Sequence, residues 1–151
     1  MQVHTLSDGE CREMLKGASF GRLACSKDDQ PYVVPMYFYV EDHYLYSFAT
    51  RGQKIDWMRA NPKVCVEVDD VRDVSQWTSV VAFGYYEELP IAPQYAEARQ
   101  RAMAMFEKRP NWWNPAAAKR GSAEHHLPVV YRISITRLSG LRAGEPPRSS
   151  V

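Results

Sequence analysis

A chain of 151 residues is long enough for one domain with a real core and too short for a second. Nineteen Lys and Arg against eighteen Asp and Glu leave a formal net charge of +1, which gives no electrostatic drive toward nucleic acid or an anionic membrane. The 45% hydrophobic and 25% charged residues are those of an ordinary soluble globular protein, and no apolar run approaches the roughly 18 residues of a membrane-spanning helix.

In chain order, the stretch MQVHTLSDGECREML carries Asp8, Glu10 and Glu13 and lacks the apolar segment of a signal peptide. Ser7-Asp8 with Glu10 and Glu13 opens a predicted helix that runs to about Gly17. Strand patterns follow at 20–26, at 31–40 and at 43–48, with Lys27 to Gln30 and Glu41-Asp42 as turns between them. The spacing predicts a hairpin of the second and third strands beside the first. Gly52 to Asn61 reads as a helix with Ile55, Met58 and Trp57 inward and Pro62 closing it. Val64, Val66 and Val68 alternate with polar residues, and 77–89 is a long strand apolar on both faces. A third helix is predicted over 93–108, and a last strand over 129–136. Six strands with few helices favour a mainly β fold, an antiparallel barrel, over a doubly wound α/β sheet. The domain is expected to span 1–140, with 141–151 as a loose C-terminal tail.

The segment YSFATRGQK, Tyr46 to Lys54, is the most informative chemically. A strand there ends in small and hydroxylated residues, and Gly52 turns the chain into a helix whose first turn carries Gln53 and Lys54. Free amides at a helix N-terminus attract phosphate. Ser47 and Thr50 can donate hydrogen bonds, and Arg51 and Lys54 supply charge. An ordinary strand–helix junction with solvated basic residues is the other reading, and the spacing is not that of a Walker A loop. Pro35 inside PYVVPMYFYV marks an edge, a bulge or a backbone left open to a flat ligand along Pro35, Met36 and Tyr37.

Trp57, Trp77, Trp112 and Trp113 call for burial against the core, a second subunit or a ring-shaped ligand. His125-His126 has no spaced carboxylate or cysteine partner, so no metal site is expected. No nucleophile elbow and no GxGxxG after a strand is present. Cys11, Cys25 and Cys65 fit neither a disulfide framework nor a zinc site; Cys25 and Cys65 are expected to fill the core, and the compartment to be a reducing cytoplasm.

Taken in order, FGRLACSKDDQPYVVPMYFYV, LYSFATRGQKIDWMRANPKVCVEVDD and WTSVVAFGYYEEL resemble the FMN-binding split barrels related to pyridoxamine 5'-phosphate oxidase, in the branch of nitroimidazole-reductase-like proteins. The likeness covers roughly residues 18 to 89, with weaker support from WW and YRISITRLSG. It implies a six-stranded antiparallel split barrel, a homodimer, and two FMN sites built from both chains. Under that resemblance Lys54 holds the FMN phosphate with Gln53 and the Thr50 hydroxyl nearby. Val34, Pro35, Met36 and Tyr37 run along the flavin ring, Ser47, Phe48 and Ala49 end the strand beside it, and Trp77 and Ser79 reach the cofactor from the second subunit.

The arginine-rich strand and the C-terminal Arg and His with which true pyridoxamine phosphate oxidases hold substrate phosphate are not recognisable, so vitamin B6 oxidation is not expected. Ser47 stands where the nitroimidazole-reductase branch often has histidine. The leading expectation is an FMN-dependent oxidoreductase passing electrons from a nicotinamide cofactor to a small acceptor, with no catalytic side chain identified. The alternatives are a non-catalytic flavin carrier or sensor, a split barrel holding haem through His4, His43, His125 or His126 or holding the deazaflavin F420, and a structural homodimer with a vestigial pocket.

Overall fold

The structure is a computed structural model and describes residues 1–108 and 128–145. Strand β1 (Val3–Thr5) leads into helix α1 (Asp8–Gly17), whose start is a capping box. Ser7 Oγ accepts from the Glu10 amide at 3.2 Å, and Glu10 accepts from the Ser7 amide at 3.1 Å. Strands β2 (Phe20–Lys27) and β3 (Gln30–Tyr37) form a hairpin. Its two loop residues, Asp28 and Asp29, have φ of 50° and 63°, the left-handed pair that matches strand twist. Strands β4 (Tyr39–Glu41) and β5 (Tyr44–Ala49) make a second hairpin, and α2 (Gln53–Ala60) follows. Strands β6 (Lys63–Asp73) and β7 (Gln76–Glu88) form a long third hairpin. A 3₁₀ turn (Pro93–Tyr95), helix α3 (Ala96–Glu107) and strand β8 (Val129–Ala143) complete the described chain.

The sheet runs β3-β2-β6-β7-β8-β5-β4, antiparallel throughout, with β1 added on β8. It is curled but not closed. The gap between its edges is crossed by the chain itself at Phe38, which is buried and whose amide donates to the Ser19 carbonyl at 3.2 Å. Ser47 Oγ also donates to the Tyr37 carbonyl at 2.7 Å, linking β5 to the end of β3.

The mainly β, split-barrel architecture matches the expectation, but eight strands are present rather than six. The predicted strand 31–40 is two strands broken at Phe38, and β3 pairs with β2 rather than with β5. The short β1 was not foreseen. Strand β8 continues to Ala143, three residues into the segment expected to be tail, because β1 and β7 both pair with its end.

The interior of the curled sheet is filled by Leu23, Leu45, Val66, Val80 and Ile133, with Leu15 of α1 and Ile55 and Met58 of α2 inserted among them. Helix α3 lies outside the curl, setting Ala102 and Phe106 against Tyr46 and Val130. The β7–β8 register jumps between Phe83/Arg137 and Gly84/Ile135. Gly84 is required there, since a β-carbon would collide with the Ser134 carbonyl oxygen. Val81 and Phe83 explain why β7 reads as apolar on both faces. They point outward on β7, where α1 and α2 do not cover them, since those helices turn their apolar sides into the core. Among the described residues no helix is long and apolar enough to cross a membrane.

Candidate functional site

The chain leaves β5 at Ala49 and enters α2 through Thr50, Arg51 and Gly52. Gly52 is the N-cap and has no side chain to offer, so the first-turn amides of α2 carry no side-chain cap. The N-terminal end of the helix dipole is therefore open to an anion.

Lys54 stands in that first turn, half-buried. Among the described residues no carboxylate lies within ion-pair distance of it. Burial pulls its ammonium below the usual lysine range. An unpaired, partly desolvated cation costs stability, and an anion placed beside it would lower that cost. Arg51 is more exposed and is held 3.3 Å from Asp56. Gln53 is exposed on the first turn, and Thr50 is half-buried beside it.

Behind Lys54 four strands bring polar side chains together. Cys25 on β2 is buried, and burial pushes its thiol up while Lys54 draws it back down. Met36 on β3 is buried, and its Sδ accepts from the Tyr131 hydroxyl of β8 at 3.1 Å. Tyr131 is fully buried and its phenol is pushed up to about 12 by desolvation, against a lowering hydrogen bond with Ser47. Ser47 on β5 is the buried polar residue that ties this group to Tyr37. Tyr131 was not singled out from the sequence. It sits in an alternating strand where an aromatic reads as core, and its partner Met36 lies 95 positions away.

The predicted site residues do not all fall together. Val34, Met36, Ser47, Ala49, Thr50, Gln53 and Lys54 gather around the α2 N-terminus and the mouth of the curled sheet. Pro35 and Tyr37 are exposed on the outer side of β3, where Tyr37 meets Phe20 edge-on with ring centres 5.0 Å apart. As β3 is an edge strand, the amide that Pro35 lacks costs no ladder bond. Phe48 departs from the expectation in its side chain, which alternation turns outward onto Phe106 of α3, ring centres 4.9 Å apart.

Trp77 and Ser79 do not join Lys54 within one chain. Cys25, beside Lys54, lies on the rung next to Ala24–Cys65, hence level with Gly84 of β7. At roughly 3.3 Å per residue, Ser79 and Trp77 lie roughly 16 and 23 Å farther along the strand. Trp77 instead lines a cleft of about 720 Å³ with Glu10, Glu13, Asp70 and Arg142. Trp112, Trp113, His125 and His126 lie outside the described residues. His43 sits in the β4–β5 turn, 3.1 Å from the Arg12 guanidinium, and His4 pairs with Arg142 near the end of β8. Both are remote from Lys54.

The comparisons with known proteins follow this geometry. The family model for pyridoxamine 5'-phosphate oxidase matches residues 7–142. A Rhizobium meliloti (strain 1021) protein of uncharacterised function is 43% identical over 149 residues, covering 95% of this chain and 97% of that one. The crystal structure of an FAD-binding protein from Mesorhizobium loti is also 43% identical, with a TM-score of 0.79 over 95% of this chain and 100% of that chain. A candidate 5-nitroimidazole antibiotic resistance protein from Bacteroides thetaiotaomicron, 18% identical, shares the fold with a TM-score of 0.67 over 95% of this chain and 92% of that one. The chain belongs to the pyridoxamine 5'-phosphate oxidase family.

Proposed function

We propose that the chain binds the flavin nucleotide FMN and acts as an oxidoreductase that passes electrons from a nicotinamide cofactor to a small acceptor. The observation that carries this reading is Lys54, a half-buried cation with no carboxylate partner among the described residues, in the first turn of a helix without a side-chain cap. The residues present suit the phosphate of a flavin. The Gln53 and Lys54 amides and the Thr50 hydroxyl donate to it, and the Lys54 ammonium neutralises it. The open edge of β3 along Val34 to Tyr37 offers backbone groups to a flat heteroaromatic ring. Ser47 and Tyr131 hold Met36 and the Tyr37 carbonyl in place, so that edge is rigid where the ring would lie. When bound, the flavin supplies the electron transfer, and this chain binds it, orients it and sets its electrostatic surroundings.

The same reading includes two copies of the chain, with the cofactor between them. The outer sheet face leaves Phe20, Val33, Tyr37, Val71 and Leu141 each at least 43% exposed, apolar surface that a second copy would cover. A second copy is also what allows Trp77 and Ser79 to approach a flavin held at Lys54. The location we propose is cytoplasmic, as the unpaired cysteines suggest.

FAD is a second reading, favoured by the FAD-binding Mesorhizobium loti protein at 43% identity. FAD contains the FMN unit, so the α2 site serves either. Parallel titrations with FMN and FAD decide between them. Turnover is tested by loading the protein with flavin and following oxidation of a reduced nicotinamide with a quinone or nitroaromatic acceptor. A rate well above that of the same concentration of free flavin supports the enzyme. Tight flavin retention with no such acceleration overturns it in favour of a carrier.

A further inference from the structure

The junction that carries Lys54 also carries a second cation, and its place bears on how many phosphates can be held there. The chain from β5 to α2 is Thr50, Arg51 and Gly52, so Arg51 stands immediately before the uncapped first turn. Its Nε donates to Asp56 Oδ1 at 3.3 Å, and the two side chains are 63% and 51% exposed. An ion pair so open to water is weak, because solvent and salt screen both charges. A phosphate can take the place of Asp56 at little cost, and the planar guanidinium fork suits two of its oxygens at once.

Asp56 also fixes where that guanidinium stands. The Asp56 amide closes the first helical bond, on the Gly52 carbonyl at 3.0 Å, so the amides without an intrahelical partner are those of Gln53, Lys54 and Ile55. Ile55 is buried and turns one side of this first turn into the core. At about 3.6 residues per turn each residue advances about 100° around the axis, so Lys54 and Asp56 lie on opposite flanks of Ile55. Lys54 occupies the flank that faces Cys25 of β2. Arg51, folded forward onto Asp56, occupies the other. The unbonded amides therefore lie between two cations. A single phosphate centred on them engages Lys54 and leaves Arg51 on Asp56. A diphosphate continues through one bridging oxygen to a second anionic group, which the Arg51 flank is placed to meet.

We infer that Arg51 is a specificity residue of this site, leaving Asp56 to hold the second phosphate of a dinucleotide flavin. Lys54 then holds the phosphate that FMN and FAD share, and Arg51 tells the two apart. This rests on the flavin reading above and names the residue on which its two cofactor alternatives divide.

The test is isothermal titration of the flavin-free full chain with FMN and, separately, with FAD. Wild type is expected to bind FAD at least as tightly as FMN. Arg51→Ala is expected to weaken FAD binding at least about tenfold and FMN binding by no more than about threefold. Arg51→Lys, which keeps the charge and loses the fork, should recover only part of the FAD affinity. Asp56→Asn, which releases Arg51, should tighten FAD more than FMN. Flavin-free Arg51→Ala is expected to unfold within about 2 °C of wild type, since the side chain is exposed, which separates lost binding from damage to the fold. Equal loss for both flavins, or no loss for either, overturns the role of Arg51 and leaves the phosphate site at Lys54 standing. Wild-type FAD binding far weaker than FMN binding overturns the second phosphate position and keeps the FMN reading. A wild-type chain that binds neither flavin overturns the flavin reading and this inference with it.

Discussion

Replacing Lys54 with Met keeps the apolar stem and removes the ammonium. Its expected effects on binding and on folding have opposite signs. A charge-assisted hydrogen bond to phosphate contributes about 1.5 to 3 kcal/mol. At 1.4 kcal/mol per tenfold, Lys54→Met should weaken flavin binding by about 10- to 150-fold. The flavin-free fold should gain instead, because a half-buried cation with no ion-pair partner among the described residues has been removed from a desolvated position. A gain of up to about 1 kcal/mol corresponds to about 2–4 °C in Tm for a chain of this size. The assay is quenching of flavin fluorescence on titration, paired with thermal unfolding of the flavin-free protein. Unchanged affinity would refute the phosphate site. Weaker affinity with a loss of stability would refute the reasoning about the unpaired cation.

Three further outcomes follow from the same geometry. The folded Lys54 pKa lies below its unfolded value, so the charged form destabilises the apoprotein and a bound phosphate favours it. Flavin affinity should therefore fall as pH rises through that lowered value, and isothermal titration of Lys54→Met should show no such fall. Ser47→Ala removes the 2.7 Å bond to the Tyr37 carbonyl. It should cost about 1 to 2 kcal/mol, read as a lower urea midpoint at unchanged slope. Gly84→Ala drives a β-carbon into the Ser134 carbonyl oxygen and to 2.8 Å from Ile133 Cγ2. A loss of at least about 2 kcal/mol in urea unfolding is expected.

Much of the barrel was legible in the sequence because its strands bury one face, and burial imposes period two. Val64, Val66 and Val68 all point inward as read, and Ile55 and Met58 fill the core from α2. What was missed lacks that signal. All three residues of β1 are exposed, so nothing alternates, and its place on β8 is set by backbone pairing alone. The outer half of β6, Asp69 to Asp73, is likewise exposed and is held as strand by β7. The break at Phe38 is invisible inside PYVVPMYFYV, since β-branched and aromatic residues continue on both sides of the turn in direction. In the candidate site, Gly52 and Lys54 were readable as a local strand-to-helix junction. Met36 was readable too, through its neighbour Pro35, but its contact with Tyr131 and the place of Cys25 beside Lys54 were not, because those meetings are tertiary events between distant strands. The separation of Trp77 and Ser79 from Lys54 came only from strand register, which a single sequence does not reveal.

The central claim is tested most directly by loading the purified chain with FMN, and separately with FAD, removing excess on a desalting column and recording the absorption spectrum against protein concentration. Close to one flavin retained per chain, with visible bands shifted from those of free flavin, is the predicted result. A colourless protein after both loadings, or a Soret band carried from expression, would contradict it and leave only the fold.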